Sequence, residues 1–511
     1  MRAGFVVKFA LAVSGLLEFS TQGRADTLVV KTEQGNVHGK TINSGRVKAF
    51  LGLPYAAPPM GEMRWKAPAP PPKWKGERDA RAFGAHCAQN HVFDDMIFQD
   101  AGPSEDCLFL NVYAPADATE KSKLPVMFWI HGGGYSGGGS NEPRHNGDFL
   151  PLKGVILVTI NYRLGVFGLL ATSDLTKEGG GMAGNYGLMD MVAALRWVNT
   201  NIKKFGGDPA NVTIFGESAG SLAVSTLMAS PMARGLFAKA IGESGSVFAE
   251  TLPLDALTAR VAKDEEWLSS TGVKSLAELR ALPTDQVLAA AKRSGGGSRP
   301  VIDGKLLTEA VVSTYDAGRQ AHIPLLAGWN KDEASFRGAG MTVAKFQAFA
   351  SDTFKDRAPE FLKLYPAATD EDAVRSAIDY GSDAFIGFST WKWIEAHRKT
   401  GGSPVYRYHF ELAAPPSKFH AGTFAFHSDD IEYVFGTLDT RPGWTVRPQD
   451  RNLSDQIMSY WTNFAKTGDP NGAGLPTWPK YDKEDSLIHL DSKITSGPDT
   501  RRARYEFLMR K

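Results

Sequence analysis

Cysteine is nearly missing from this chain: Cys87 and Cys107 are the two among 511 residues. Two thiols with no histidine cluster beside them make a poor zinc site, so no metal is expected. Net charge is close to nil, at +1. There is no basic field to hold nucleic acid, and no long run of like charge. Beyond the N-terminus, no apolar run reaches the ~18 residues that a membrane span needs. The glycine-rich stretches lack both the Lys-Ser/Thr ending of a phosphate loop and the spacing of a dinucleotide fingerprint, and no cofactor is expected. What remains is globular composition, 42% hydrophobic and 22% charged, with material for a large core.

The N-terminus reads as an export signal. Arg2 supplies the charged start. Phe9-Ala10-Leu11-Ala12-Val13 and Leu16-Leu17 form the apolar middle, although Lys8 interrupts it. Gly23 and Ala25 are the small residues a signal peptidase reads. Residues 1–25 are thus expected to be a signal peptide, and residues 26–511 a single domain of a secreted or periplasmic protein. In such a compartment an even cysteine count suggests one Cys87–Cys107 disulfide, adding roughly 3 kcal/mol by loop-closure arithmetic. A monomer or weak homo-oligomer is expected.

Val126-Met127-Phe128-Trp129-Ile130 and Val155-Ile156-Leu157-Val158-Thr159-Ile160 are continuous apolar runs. Such runs suit strands buried on both faces of a parallel sheet. Segments 212–215, 238–241, 324–328 and 405–408 read as further strands. Met191, Val192, Leu195, Val198 and Ile202 recur at helical spacing between two of them. Strand and helix alternate, so the predicted class is α/β with a mostly parallel central sheet. The Pro-rich segment 54–74 reads as extended surface chain. Stretches 255–295 and 341–400 are helical and richer in charge. Inserted between core strands, they are expected to cap the sheet's carboxyl edge, where α/β sheets bind ligands.

Gly216-Glu217-Ser218-Ala219-Gly220 directly follows the strand Val212–Phe215 and precedes a helical pattern, Leu222, Ala223, Val224, Leu227 and Met228. Strand, Gly-x-Ser-x-Gly and helix together predict a nucleophile elbow, with Ser218 as a hydrolase's nucleophile. A second match, Gly134-Tyr135-Ser136-Gly137-Gly138, runs into further glycines that no helix tolerates. His131-Gly132-Gly133-Gly134 follows the strand ending at Ile130. Such a segment supplies N–H donors to an oxyanion, as does the residue after the nucleophile; the donors expected here are Gly133, Gly134 and Ala219. A serine nucleophile needs a histidine base oriented by a carboxylate, in the chain order serine, acid, histidine. His322, His397, His409, His420, His427 and His489 all follow Ser218, and spacing alone leaves the base open.

The chain resembles the type-B carboxylesterase/cholinesterase family of α/β hydrolases over nearly all of its mature length. The resemblance rests on Phe50-Leu51-Gly52-Leu53-Pro54-Tyr55-Ala56, Ser104-Glu105-Asp106-Cys107-Leu108, His131 to Tyr135, Asn161-Tyr162-Arg163-Leu164-Gly165, Phe205-Gly206-Gly207-Asp208-Pro209 and Gly216 to Gly220. It implies the α/β-hydrolase fold with helical cap insertions. It implies Glu333, in Asn330-Lys331-Asp332-Glu333, as the acid and His427, in His427-Ser428-Asp429-Asp430, as the base. By chemistry alone Asp332 would serve as well as Glu333. The resemblance also implies a supporting network of Glu217, Ser244 and Asp430, and a structural ion pair of Arg64 with Glu105. In cholinesterases the disulfide-closed loop is longer and carries a Trp for the choline cation. Here it holds Phe93 and Phe98 but no Trp, so a choline ester is not expected. The implied activity is serine carboxylesterase action on a small-molecule ester. Thioesterase, amidase or carbamate hydrolysis on the same groups are alternatives, as is a non-catalytic adhesion module. Phe336, Phe346, Phe385, Phe388, Trp391 and Phe426 could line an apolar gorge or belong to the core.

Overall fold

The computed structural model describes Met1 and residues 28–249, 254–294, 299–415, 424–482 and 485–510. The expected export signal and His420 lie outside the described residues. Among the described residues, eleven strands form the central sheet: β1 (Lys40–Ile42), β2 (Val47–Pro54), β3 (Phe109–Pro115), β4 (Leu124–Ile130), β5 (Ile156–Ile160), β6 (Gly207–Glu217), β7 (Lys239–Glu243), β8 (Leu325–Asn330), β9 (Val405–Phe410), β10 (Ser486–Leu490) and β11 (Thr495–Pro498). Their spatial order is β11-β10-β9-β8-β7-β6-β4-β5-β3-β2-β1. From β5 through β4 and β6 to β10 every neighbour is parallel. The strands at both edges pair antiparallel.

The apolar runs are continuous because each strand feeds two cores. Along β4, Val126, Phe128 and Ile130 enter one cluster, while Met127 and Trp129 enter the other. Successive side chains leave opposite faces, so a strand covered on both sides has no polar position to spare. Helices α1 (Tyr186–Asn201), α2 (Ala219–Ala229) and α3 (Phe388–Thr400) pack residues such as Leu195, Leu227 and Trp393 onto the first face. Helix α4 (Pro448–Thr467) covers the second with Ile457, Trp461 and Phe464.

The inserted stretches are helical, as expected. Helices Leu257–Ser270, Leu276–Ala281 and Thr284–Ser294 make up the first. Arg64 ties it down. Its guanidinium meets Glu105 at 2.5 and 2.7 Å and donates to the carbonyls of Leu279, Arg280 and Leu282. The second insertion corrects the reading in one part. Val343–Phe354, Ala358–Leu364 and Asp370–Ser382 share a satellite core with Phe346, Phe361 and Tyr365. Helix α3, the end of the same stretch, belongs instead to the sheet: the Trp393 ring occupies the space a side chain at Gly242 in β7 would need. Amphipathic periodicity alone does not tell a cap helix from one packed on the sheet.

Chain order jumps from β5 to β6 across β4, so β4 lies between them and the connections leave in opposite directions. That arrangement opens a crevice beyond the carboxyl ends of β4 and β6, where open α/β sheets bind ligands.

Candidate active site

β4 ends at Ile130 and β6 at Glu217, with Ile130 opposite Gly216. The segment His131–Tyr135 and Ser218 therefore emerge side by side. Ser218 has φ 54° and ψ −121°, a conformation that costs roughly 1–3 kcal/mol in a non-glycine residue. The surrounding structure holds it there. The Ser218 amide donates to the Glu243 carbonyl at 2.9 Å, and its carbonyl accepts from Leu222 at 2.9 Å, inside the first turn of α2. A side chain at either Gly216 or Gly220 would strike the Ile130 carbonyl oxygen, which is why the elbow needs glycine on both sides. Ala219 is the first residue of α2, so its N–H has no acceptor within the helix.

His427 stands between two partners. Its Nε2 is 2.9 Å from Ser218 Oγ, and its Nδ1 is 2.6 Å from Glu333 Oε2. The other Glu333 oxygen accepts the Asn330 amide at 2.8 Å. Asp332, equal on chemistry, is engaged elsewhere: it pairs with Arg375 at 2.6 Å and accepts the Ala425 amide. The remaining described histidines after Ser218 are occupied too. His322 and His397 meet backbone carbonyls, and His409 and His489 meet Glu411.

The three glycine-segment and elbow residues, Gly133, Gly134 and Ala219, border the same cavity as Ser218 and His427. Gly133 has φ 97°, and a side chain there would collide with the Gly137 carbonyl oxygen. His131 is buried; burial lowers its pKa to about 4, so it stays neutral. Its ring stacks on Tyr162, and its carbonyl accepts the Tyr162 hydroxyl at 2.8 Å. The rival Ser136 also borders the cavity, but among the described residues its hydroxyl donates only to the Gly134 carbonyl at 3.3 Å.

Carboxylates crowd the floor. Glu217 accepts the Ser428 hydroxyl at 2.7 Å and lies 3.4 Å from His427 Nε2. Asp430 accepts from Tyr408 and Asn330 at 3.0 and 3.2 Å. Burial pushes the Glu217 carboxyl up to about 7, although the facing His427 pulls it down. Burial and the Glu333 charge raise Asp430 to about 6. For His427, burial works against the imidazolium, but the charges of Glu217 and Glu333 prevail and raise it to about 9. Ser244 does not join Glu217 and Asp430 by hydrogen bonds: its Oγ is buried without a partner among the described residues. Ser428, Asn330 and Tyr408 take those contacts instead. Sequence reading missed all three, although Ser428 and Asn330 sit inside the segments it quoted.

The cavity has a volume of about 510 Å³, within the range of roughly 300–1,000 Å³ typical of small-molecule sites. Of the six aromatic residues proposed for its wall, Phe385 is the one that borders it, its ring centroid 5.3 Å from that of His427. Phe388 and Trp391 stack in the core, Phe346 belongs to the satellite cluster, and Phe426 lies under the Arg441 guanidinium. Phe336 is exposed. From the loop between the cysteines come Phe93 and Met96. That loop is closed by a Cys87–Cys107 disulfide, as expected.

Residues 26–508 match the profile of the carboxylesterase family. The chain is 34% identical to a fumonisin B1 esterase of Sphingopyxis macrogoltabida over 92% of its own length and 87% of that protein's. It is 35% identical to the para-nitrobenzyl esterase of Bacillus subtilis, over 92% and 96%. Among solved structures, a carboxylesterase of Geobacillus stearothermophilus superimposes with a TM-score of 0.80 at 33% identity, over 93% of this chain and 99% of that one. The fold and the sequence agree: this chain belongs to the carboxylesterase family.

Proposed function

We propose that this carboxylic ester hydrolase works through Ser218, His427 and Glu333. The observation that carries the reading is His427 held between the other two, at 2.9 and 2.6 Å. Ser218 Oγ attacks the ester carbonyl as His427 Nε2 takes its proton. Glu333 fixes the Nδ1–H tautomer and stabilises the imidazolium. Charge develops on the carbonyl oxygen, and the N–H groups of Gly133, Gly134 and Ala219 hold it. His427 then gives the proton to the departing alcohol. A water molecule, deprotonated by His427, attacks the acyl-Ser218 ester and releases the acid. Every group in the scheme comes from one chain, so it needs no partner subunit and suits a monomer or weak homo-oligomer.

The substrate is a small-molecule ester, and the mixed apolar and charged wall of the cavity, with Leu222, Val247, Phe385 and Arg144, fits that class. The disulfide supports an oxidising compartment and hence secretion or the periplasm. Ser218→Ala tests the mechanism. Turnover of a short-chain nitrophenyl ester should fall by at least about 10⁴-fold, and covalent labelling by an organophosphate should vanish. Undiminished hydrolysis by the purified variant sinks the reading.

A further inference from the structure

Far along the sheet from the elbow, β9 and β10 run parallel with His409 directly opposite His489. Their imidazoles therefore stand side by side on one face. Glu411 lies two residues beyond His409 in extended chain, its amide donating to the Leu490 carbonyl at 2.8 Å, so its side chain returns to that same face. One carboxylate oxygen, Glu411 Oε1, meets His409 Nδ1 at 2.7 Å and His489 Nδ1 at 2.6 Å. The three donor atoms lie within 4.8 Å of one another. His409 is buried, whereas Glu411 and His489 are partly open to solvent, which gives an entry path.

We infer that His409, His489 and Glu411 form a binding site for one divalent transition-metal ion of the zinc type. Two imidazole nitrogens and one carboxylate oxygen are a donor set that zinc accepts, with further positions left to water. Around an ion with bonds of about 2.0–2.2 Å, neighbouring ligand atoms sit about 3–3.5 Å apart. The carboxylate must therefore withdraw by less than about 1 Å, the two imidazole nitrogens must close to that spacing from within 4.8 Å of each other, and each imidazole must carry its proton on Nε2. Glu411 follows the end of β9 and is not gripped by the strand ladder on both sides, so this adjustment is local. One group competes for the carboxylate: the Arg501 guanidinium, 3.9 Å from Glu411 Oε1 and itself partly exposed. None of the three ligands belongs to the ester-hydrolysing machinery. Glu411 does begin the connection from β9 toward His427, so an ion here would clip the start of that connection to β10.

The test is zinc binding to full-length protein stripped with a chelator, followed by calorimetry and by the cobalt(II) visible spectrum. One equivalent should bind, raise the melting temperature and give the intense bands of four-coordinate cobalt. His489→Ala should weaken binding at least about tenfold and abolish those bands. Arg501→Ala should bind more tightly than the native chain, a gain that misfolding cannot mimic. Ester hydrolysis by the stripped protein should persist in each case. Equal affinity of native chain and His489→Ala, or no gain from Arg501→Ala, overturns the proposal.

Discussion

Two copies of Gly-x-Ser-x-Gly border one cavity, and their backbones make opposite uses of the same residues. At Ser218 the glycines flank the serine so that β6 and α2 can pass within contact of the Ile130 carbonyl. The strained serine between them faces His427. At Ser136 the glycines bend the chain back on itself, with the amides of Ser136 and Gly137 both bonded to the Gly133 carbonyl at 3.0 Å. Among the described residues, the serine there meets a carbonyl and no base. A pentapeptide thus specifies small residues around a hydroxyl. What stands opposite the hydroxyl decides between nucleophile and bystander.

The comparison can be broken most sharply at the base. Glu333→Gln keeps the shape but donates where it should accept, favouring the wrong tautomer of His427; kcat should fall by about 10⁴-fold in steady-state ester hydrolysis. A loss under tenfold would mean that Ser218 owes nothing to its acid. Next comes the glycine segment, whose backbone and not its serine is assigned the chemistry. Gly133→Ala places a side chain against the Gly137 carbonyl at φ 97° and should displace the donor, lowering kcat about 10²–10³-fold. Unchanged kcat would remove Gly133 from the oxyanion site.

Glu217→Gln sharpens the electrostatics. Burial pulls the His427 pKa down, while the Glu217 and Glu333 carboxylates hold it up. Removing one anion must lower it. Catalysis needs the neutral imidazole, so the acidic limb of the kcat/KM profile should move to lower pH. A limb that stays in place would show that Glu217 is protonated in the working enzyme and contributes no charge. The smallest effect belongs to the rival serine. Ser136→Ala should leave kcat/KM within about twofold of the native value, since its hydroxyl makes one bond to a neighbouring carbonyl. A large loss there would move Ser136 into the chemistry.

Much of the site was legible before the fold was known, for identifiable reasons. Ser218 announces itself because an elbow demands strand, glycines and helix within a few residues, all local features. Gly133 and Gly134 do so because a backbone approach to substrate excludes side chains. His427 was not legible from spacing: six histidines follow the serine, and their partners lie up to hundreds of residues away. Asp332 and Glu333 are adjacent and chemically equivalent, and the choice fell to Arg375 in a helix of the second insertion. Likewise, Ser428 rather than Ser244 bonds Glu217, because the His427 connection, and not the end of β7, carries a hydroxyl within reach.

The sequence by itself determined the α/β class, since strands with two buried faces must be apolar throughout, and it determined the elbow at Ser218, since that turn is a local constraint. It also implied the acid and base through the resemblance of their flanking segments. Tertiary structure alone decided which groups meet: His427 set between Ser218 and Glu333, the wall of the cavity, the fate of α3, and the pairing of His409 with His489 across two strands. Those outcomes depend on the order in which strands are laid side by side. Strand order is set by the packing of the whole core, which no window of residues contains.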